Sequence, residues 1–429
     1  MDAFEYSNGA LFCEDVAVAD VADEVGTPAY VYSAQTLREH YRRFADAFGE
    51  LDATICFSIK SLANVHVLRM FAELGSGFDV VSGGEIARAR AAGADMSRLV
   101  FAGVGKTDRE IREAIDAGVG LFNVESEQEF EAISRIAAER GATVRAALRV
   151  NPDVYDPNTH KYTTTGKKET KFGVDIDRAE AFFERFGRDD NVRLDGVDMH
   201  IGSPIYSAEP YVQAIERALA MIDTLRDAGH TIRTLDIGGG YAADYVAGAS
   251  PEAADYAGEI LPLLRGRDLQ IILEPGRSVA CNAGILLMRT LYTKAGGEKR
   301  FVVVDGAMTD MLRPALYGAE HFVWPAQLAD GAAPPERRPD YAAPDGQTVD
   351  VVGGVCETSD TLAAGRTLPP MQRGDLLALF SAGAYGFVMA SQYNARPRPC
   401  EVLVDGDTWR IIRRRETYDD LLGPERDVS

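Results

Sequence analysis

Eight short apolar runs cross the first two-thirds of this chain, and helix-patterned sequence separates them. That alternation is the feature that most restricts the fold. The runs cover residues 55–59, 78–81, 99–102, 121–124, 144–150, 196–199, 234–237 and 270–273. Helical patterns over 85–92, 108–117, 126–140 and 208–228 lie between them, and Gly93 and Gly118 follow the first two where a helix C-cap belongs. Eight apolar strands alternating with helices predict a parallel (β/α)8 barrel of the TIM type. Beyond about residue 284 the pattern turns to strands alone, at 301–304, 349–352, 376–380, 401–404 and 409–412. The expected architecture is therefore α/β plus all-β. A barrel spans 28–284, and a C-terminal β-sandwich or β-barrel domain is built from 285–429 with 1–27. Residues 326–348, rich in Pro, Ala and Asp, read as a surface loop.

A parallel barrel builds its site from the C-terminal ends of its strands. Those ends carry Lys60, Asp79 with Ser82, Gly103, Glu125, Asn151, His200, Gly238-Gly239-Gly240 and Glu274. Lys60 stands where a lysine can act as a Schiff-base former, or can simply reach for solvent. The triple glycine is a tight turn that also suits phosphate. Glu274-Pro275-Gly276-Arg277 closes the eighth strand as an ion pair, or as a carboxylate for a pyridine nitrogen beside an arginine for an anion. His200 offers a flat ring and Ser203 a hydroxyl. In the β region, Cys356-Glu357 and Tyr385 sit in loop-like settings. The loop over 151–176 is long enough to be functional and holds Lys167, Lys168 and Lys171.

With 45 basic and 66 acidic residues the net charge is −21, which argues against bulk-charge binding of nucleic acid or anionic membrane. Five cysteines (Cys13, Cys56, Cys281, Cys356, Cys400) without CxxC spacing, and six histidines without ligand spacing, predict reduced thiols, no metal and a cytoplasmic setting. The N-terminus has no basic stretch of the kind that opens a signal peptide, and no run approaches a membrane span.

Taken in order, these motifs resemble the fold-type III pyridoxal-phosphate decarboxylases. The likeness runs from about residue 28 to 399. It rests on Phe57-Ser58-Ile59-Lys60, Phe78-Asp79-Val80-Val81-Ser82-Gly83-Gly84-Glu85, Arg149-Val150-Asn151-Pro152-Asp153, Lys171-Phe172-Gly173, His200-Ile201-Gly202-Ser203, Gly238-Gly239-Gly240, Glu274-Pro275-Gly276-Arg277, Arg313-Pro314-Ala315-Leu316-Tyr317, Cys356-Glu357 and Asn394-Ala395-Arg396-Pro397-Arg398-Pro399. The resemblance implies pyridoxal 5'-phosphate as cofactor, carried by Lys60. By the same likeness His200 stacks on its ring and Glu274 pairs with the ring nitrogen. Asp79, Ser203, Gly239, Gly240, Gly276, Arg277 and Tyr385 complete the cofactor site. Cys356 is the implied proton donor, on a loop that enters the partner's site in a homodimer. Lys171 and Asp360 match positions that pair across that interface. The family often has Ser and Gly where this loop has Thr358 and Ser359, and glutamine where Pro204 stands.

The substrate has to satisfy Arg277, Arg313, Tyr317, Glu357 and Tyr385. Two buried arginines without an anion are costly, and a distal carboxylate with a distal ammonium answers the arginines and Glu357 together. This favours meso-2,6-diaminopimelate, decarboxylated to L-lysine and CO2 as the last step of lysine biosynthesis. The alternatives are a decarboxylase of carboxynorspermidine or a basic amino acid, a racemase of the same fold, and a non-catalytic homologue.

Overall fold

The computed structural model describes every residue except 1, 157–164, 167–169, 246, 247, 339, 427 and 429. Lys167 and Lys168 of the long loop lie outside the described residues. The chain divides into two compact units: His40–Ala242 with Pro251–Ser278, and Met1–Glu39 with Ala243–Ser250 and Val279–Ser429.

The first unit is the barrel. Its strands are, in order, Ala53–Ser58, Gly77–Val80, Leu99–Phe101, Leu121–Val124, Val144–Asn151, Val192–Asp198, Thr234–Asp236 and Gln270–Leu273. All eight pair in parallel. Val144–Asn151 bonds to both Leu121–Val124 and Val192–Asp198, and Gln270–Leu273 bonds back to Ala53–Ser58, so the ring closes. A short extra strand, Val174–Asp175, pairs beside Val144–Asn151.

The intervening helices begin and end where side-chain chemistry allows. Ser82, Thr107 and Ser126 accept the N–H groups of Glu85, Glu110 and Glu129, and each helix stops at a left-handed glycine: 93, 118 and 141. One layer inside the ring is apolar, made of Cys56, Val100, Leu121, Ala147 and Ile272. Above it, toward the C-terminal ends of the strands, the inward residues become charged.

The second unit is built on a nine-stranded sheet whose longest member is Gly284–Gly296. The sheet runs Thr361–Leu368, Gln347–Val352, Lys299–Val304, Gly284–Gly296, Ala29–Ser33, Cys400–Asp405, Thr408–Arg413, with Leu376–Leu379 and Val323–Pro325 off the main path. Residues 28–39, 243–250 and 279–284, expected with the barrel, group here instead. Ala29–Ser33 is hydrogen-bonded between Gly284–Gly296 and Cys400–Asp405, and all five of its residues are buried. A three-stranded N-terminal sheet (Phe4–Ser7, Ala10–Cys13, Val16–Ala17) joins the same unit where the Leu11 N–H donates to the Ala326 oxygen at 2.8 Å.

Candidate active site

Lys60 lies in the single turn Ile59–Ser61 that follows the first barrel strand. Its Nζ is 2.6 Å from Asp79 Oδ2 on the second strand, which also accepts the Ser58 hydroxyl at 2.7 Å. The other oxygen of Asp79 is buried without a partner. His200, past the sixth strand, receives the Gly202 N–H on Nδ1 at 3.2 Å and has Thr165 Oγ1 2.9 Å from the same atom. Enclosure, then the charges of Arg149 and Lys60, push its pKa well below the ordinary histidine value, so the ring is neutral.

Glu274, past the eighth strand, is buried, and its Oε1 has no partner. Burial, then the nearby Asp236, Asp79 and Asp198, hold its pKa well above the usual carboxylate range, and Lys60 offsets part of this. Asp198 is raised well above its ordinary value by burial and then by Asp236. Asp236 is raised to about 6, chiefly by burial, against hydrogen bonds from the Gly238 N–H, Asn123 and Glu274. Arg149 Nη1 bonds Glu125 at 3.2 Å, and Arg149 Nε lies 3.9 Å from Asp198.

Around this acidic floor the chain packs too closely for side chains at three glycines. A Cβ on Gly239 would sit 2.3 Å from the Glu274 carbonyl oxygen. One on Gly240, whose φ is +104°, would sit 2.3 Å from the Gly202 oxygen. One on Gly276 would meet Ser58 Cβ at 2.9 Å. Arg277 Nε donates to Ser203 Oγ at 3.0 Å, so the arginine serves a hydroxyl in the structure.

The remaining expected residues belong to the second unit. Arg313 is buried, donates from Nε to His321 Nε2 at 3.4 Å, and has the rings of Tyr245, Tyr317 and Tyr385 at 5.2, 5.7 and 6.0 Å from its guanidinium carbon. No carboxylate pairs with it among the described residues. Tyr385 has a φ of +56°, an uncommon conformation for a side-chain-bearing residue. Cys356 is exposed, and its N–H donates to Asn394 Oδ1 at 3.1 Å. Glu357 accepts the Tyr393 hydroxyl at 2.6 Å and the Ser359 hydroxyl at 3.0 Å, which holds its pKa below the usual value. Asp360 is buried and accepts the N–H groups of Met308 and Val355 at 2.6 and 2.7 Å.

Residues 34–281 match the family described as "Pyridoxal-dependent decarboxylase, pyridoxal binding domain". The chain belongs to the pyridoxal-dependent decarboxylases. Diaminopimelate decarboxylase of Pseudomonas aeruginosa is 47% identical over 425 residues, covering 99% of each chain. The crystal structure of diaminopimelate decarboxylase from Helicobacter pylori complexed with L-lysine superposes with a TM-score of 0.88 at 37% identity, over 96% of this chain and 99% of that one. The M. jannaschii diaminopimelate decarboxylase in co-complex with L-lysine gives 0.91 at 33%, over 100% and 98%.

The residues of this decarboxylase fit its cofactor. Glu274 Oε1 is a buried acceptor lacking a donor, and Lys60 presents an amine. Of the residues expected from sequence, the barrel unit brings together Lys60, Asp79, His200, Ser203, Gly239, Gly240, Glu274, Gly276 and Arg277. Arg313, Tyr317, Cys356, Glu357 and Tyr385 stand in the other unit. Sequence reasoning missed Asn123, Asp198, Asp236, Tyr393 and any role for Asn394. A signal existed for three of them: Asn123, Asp198 and Asp236 are polar residues inside otherwise apolar runs, where an uncompensated side chain would be costly.

Proposed function

We infer that this chain decarboxylates meso-2,6-diaminopimelate to L-lysine and CO2, the closing step of lysine biosynthesis. The observation that carries this reading is Arg313, a buried cation with no carboxylate partner among the described residues. Enclosing a guanidinium costs several kcal/mol unless an anion meets it, and aromatic faces return only part of that. A substrate with a distal carboxylate supplies the anion, whereas ornithine, lysine and arginine do not. Tyr317 lines the same guanidinium, and Glu357, an anion held by Tyr393, suits the distal ammonium.

When bound, pyridoxal phosphate supplies the electron sink for the charge left by loss of CO2. The chain's own residues do the rest. Lys60 Nζ is the amine that attaches it, oriented by Asp79. His200, neutral and flat, covers a ring face without adding charge. Glu274 Oε1, buried without a partner, would accept the N–H of the ring nitrogen. Ser203, aligned by Arg277, would take the phosphate with Gly239, Gly240 and Gly276, and by family likeness Tyr385 would add its hydroxyl. Cys356 Sγ returns a proton to the carbon that lost CO2. Its exposure on a loop fits a homodimer in which each subunit's Cys356 serves the partner's site, and an exposed reduced thiol suits the cytoplasm.

The test is CO2 release from meso-diaminopimelate, L-lysine, ornithine, arginine and carboxynorspermidine by the purified holoenzyme. Diaminopimelate is expected to give the highest kcat/KM. A higher value with any other member of the panel overturns the assignment.

A further inference from the structure

Asp236 ends the seventh barrel strand, fully buried. Its Oδ1 accepts the Gly238 N–H at 2.9 Å, and its Oδ2 accepts Asn123 Nδ2 at 3.2 Å. The Glu274 side chain is its third partner, and the backbone holds the two residues together, since the Glu274 N–H donates at 2.9 Å to the oxygen of the same Gly238 whose N–H Asp236 accepts. A hydrogen bond between two carboxyl groups needs a proton between them, because two carboxylates have only acceptors to offer. The surroundings reinforce this. Asp79 and Asp198 face the pair with Lys60 and Arg149 as the cations, and Cys56 and Tyr241 are its other titratable neighbours. Five buried carboxyls (Asp79, Glu125, Asp198, Asp236 and Glu274) thus meet two cations inside one ring of strands, so the interior must retain protons.

We propose that Asp236 is the positioning residue for Glu274: it aims that carboxyl by a shared proton and makes it the stronger base toward the cofactor's ring nitrogen. The proposal rests on the reading of Glu274 given above. Asp79 and Asp198 act on Glu274 through charge, but Asp236 also bonds it. An anionic Asp236 beside Glu274 raises the proton affinity of the whole Asp236–Glu274–ring nitrogen chain. An asparagine there would instead donate to Glu274, stabilise its anion and weaken that hold.

The experiment is a nitrogen-15 NMR titration of holoenzyme reconstituted with ring-labelled pyridoxal phosphate, between about pH 6 and about pH 9. A cofactor dissociation constant is measured for each protein alongside it. The wild type, Asp236→Asn and Glu274→Gln are compared. Asp236→Asn is expected to lose the ring proton at a pH lower by about one unit or more, with weaker cofactor binding. A merely structural role for Asp236 would move the dissociation constant and leave the titration midpoint in place.

If Glu274→Gln lowers the midpoint and Asp236→Asn titrates like the wild type, the Asp236 proposal is overturned and the Glu274 reading stands. If Glu274→Gln leaves the ring proton in place throughout, the Glu274 reading fails and takes the proposal with it. Should Asp236→Asn not yield soluble protein, Asp236→Ser is titrated in its place against the same expectation.

Discussion

Replacing Arg313 with methionine separates a binding arginine from a structural one, because the two roles predict opposite changes in stability. In the free protein Arg313 is 7% exposed and has no anionic partner among the described residues. Its compensation is one long hydrogen bond to His321, at 3.4 Å, and three tyrosine faces between 5.2 and 6.0 Å. Such faces contribute about 0.5–1 kcal/mol each, while enclosing the charge costs several kcal/mol. Arg313→Met keeps most of the volume and removes the charge, so the melting temperature is expected to stay level or rise.

Binding behaves the other way. Losing one side of a buried charged contact with the substrate costs about 2–5 kcal/mol, and tenfold in rate corresponds to about 1.4 kcal/mol. The kcat/KM for meso-diaminopimelate should therefore fall roughly 30-fold to several thousand-fold. Whatever activity exists on L-lysine, which has no distal carboxylate, should fall far less. The assays are CO2 release with both substrates and a thermal melt. A lower melting temperature together with equal losses on both substrates would refute the reasoning, as would a loss on diaminopimelate smaller than about tenfold.

Two other expectations concern assembly and pH. Lys60→Ala and Cys356→Ala should each be inactive, and mixing them after mild dissociation should restore roughly a quarter of wild-type activity, since half the dimers would then be mixed with one intact site each. No recovery despite proven subunit exchange would mean that Lys60 and Cys356 work within one subunit. Asp310, buried beneath the Ala307 N–H at 2.8 Å, has its pKa raised to about 7, mainly by burial. The unfolded chain ionises this group near the ordinary aspartate value, so its stabilising contribution is complete at low pH and is lost as pH rises from about 4 to about 7. In urea denaturation, the stability of Asp310→Asn relative to wild type should therefore grow over that window and then level off. A difference that does not change with pH would contradict the burial argument.

The barrel was legible in the sequence because strand length, apolarity and helix caps are local properties. Seven of the eight expected strands lie within two residues of those observed at both ends, and Val192–Asp198 begins four residues earlier than expected. Ala29–Ser33 was not legible as part of the β unit. Five buried residues in a row read equally well as a barrel strand, and only the pairing with Gly284–Gly296 and Cys400–Asp405 decides. Gly284–Gly296 itself escaped notice because its second half is exposed and polar. Among site residues, Lys60, His200 and Glu274 announce themselves at strand ends. Asp198 and Asp236 interrupt apolar runs, which marks them as polar groups in need of partners, but linear order does not say which groups those partners are.

By itself the sequence determined the class of fold, the cofactor-carrying lysine and the family, because each depends on residue order and short-range spacing. Tertiary structure alone decided how the acids inside the barrel are connected and that no described carboxylate meets Arg313. Asn123 and Asp236 are 113 residues apart, and they meet only because the eighth strand closes back on the first. Once that ring excludes water, carboxyls that would ionise independently in an open chain must share protons, and the proton that Glu274 carries is governed by neighbours the linear order does not reveal.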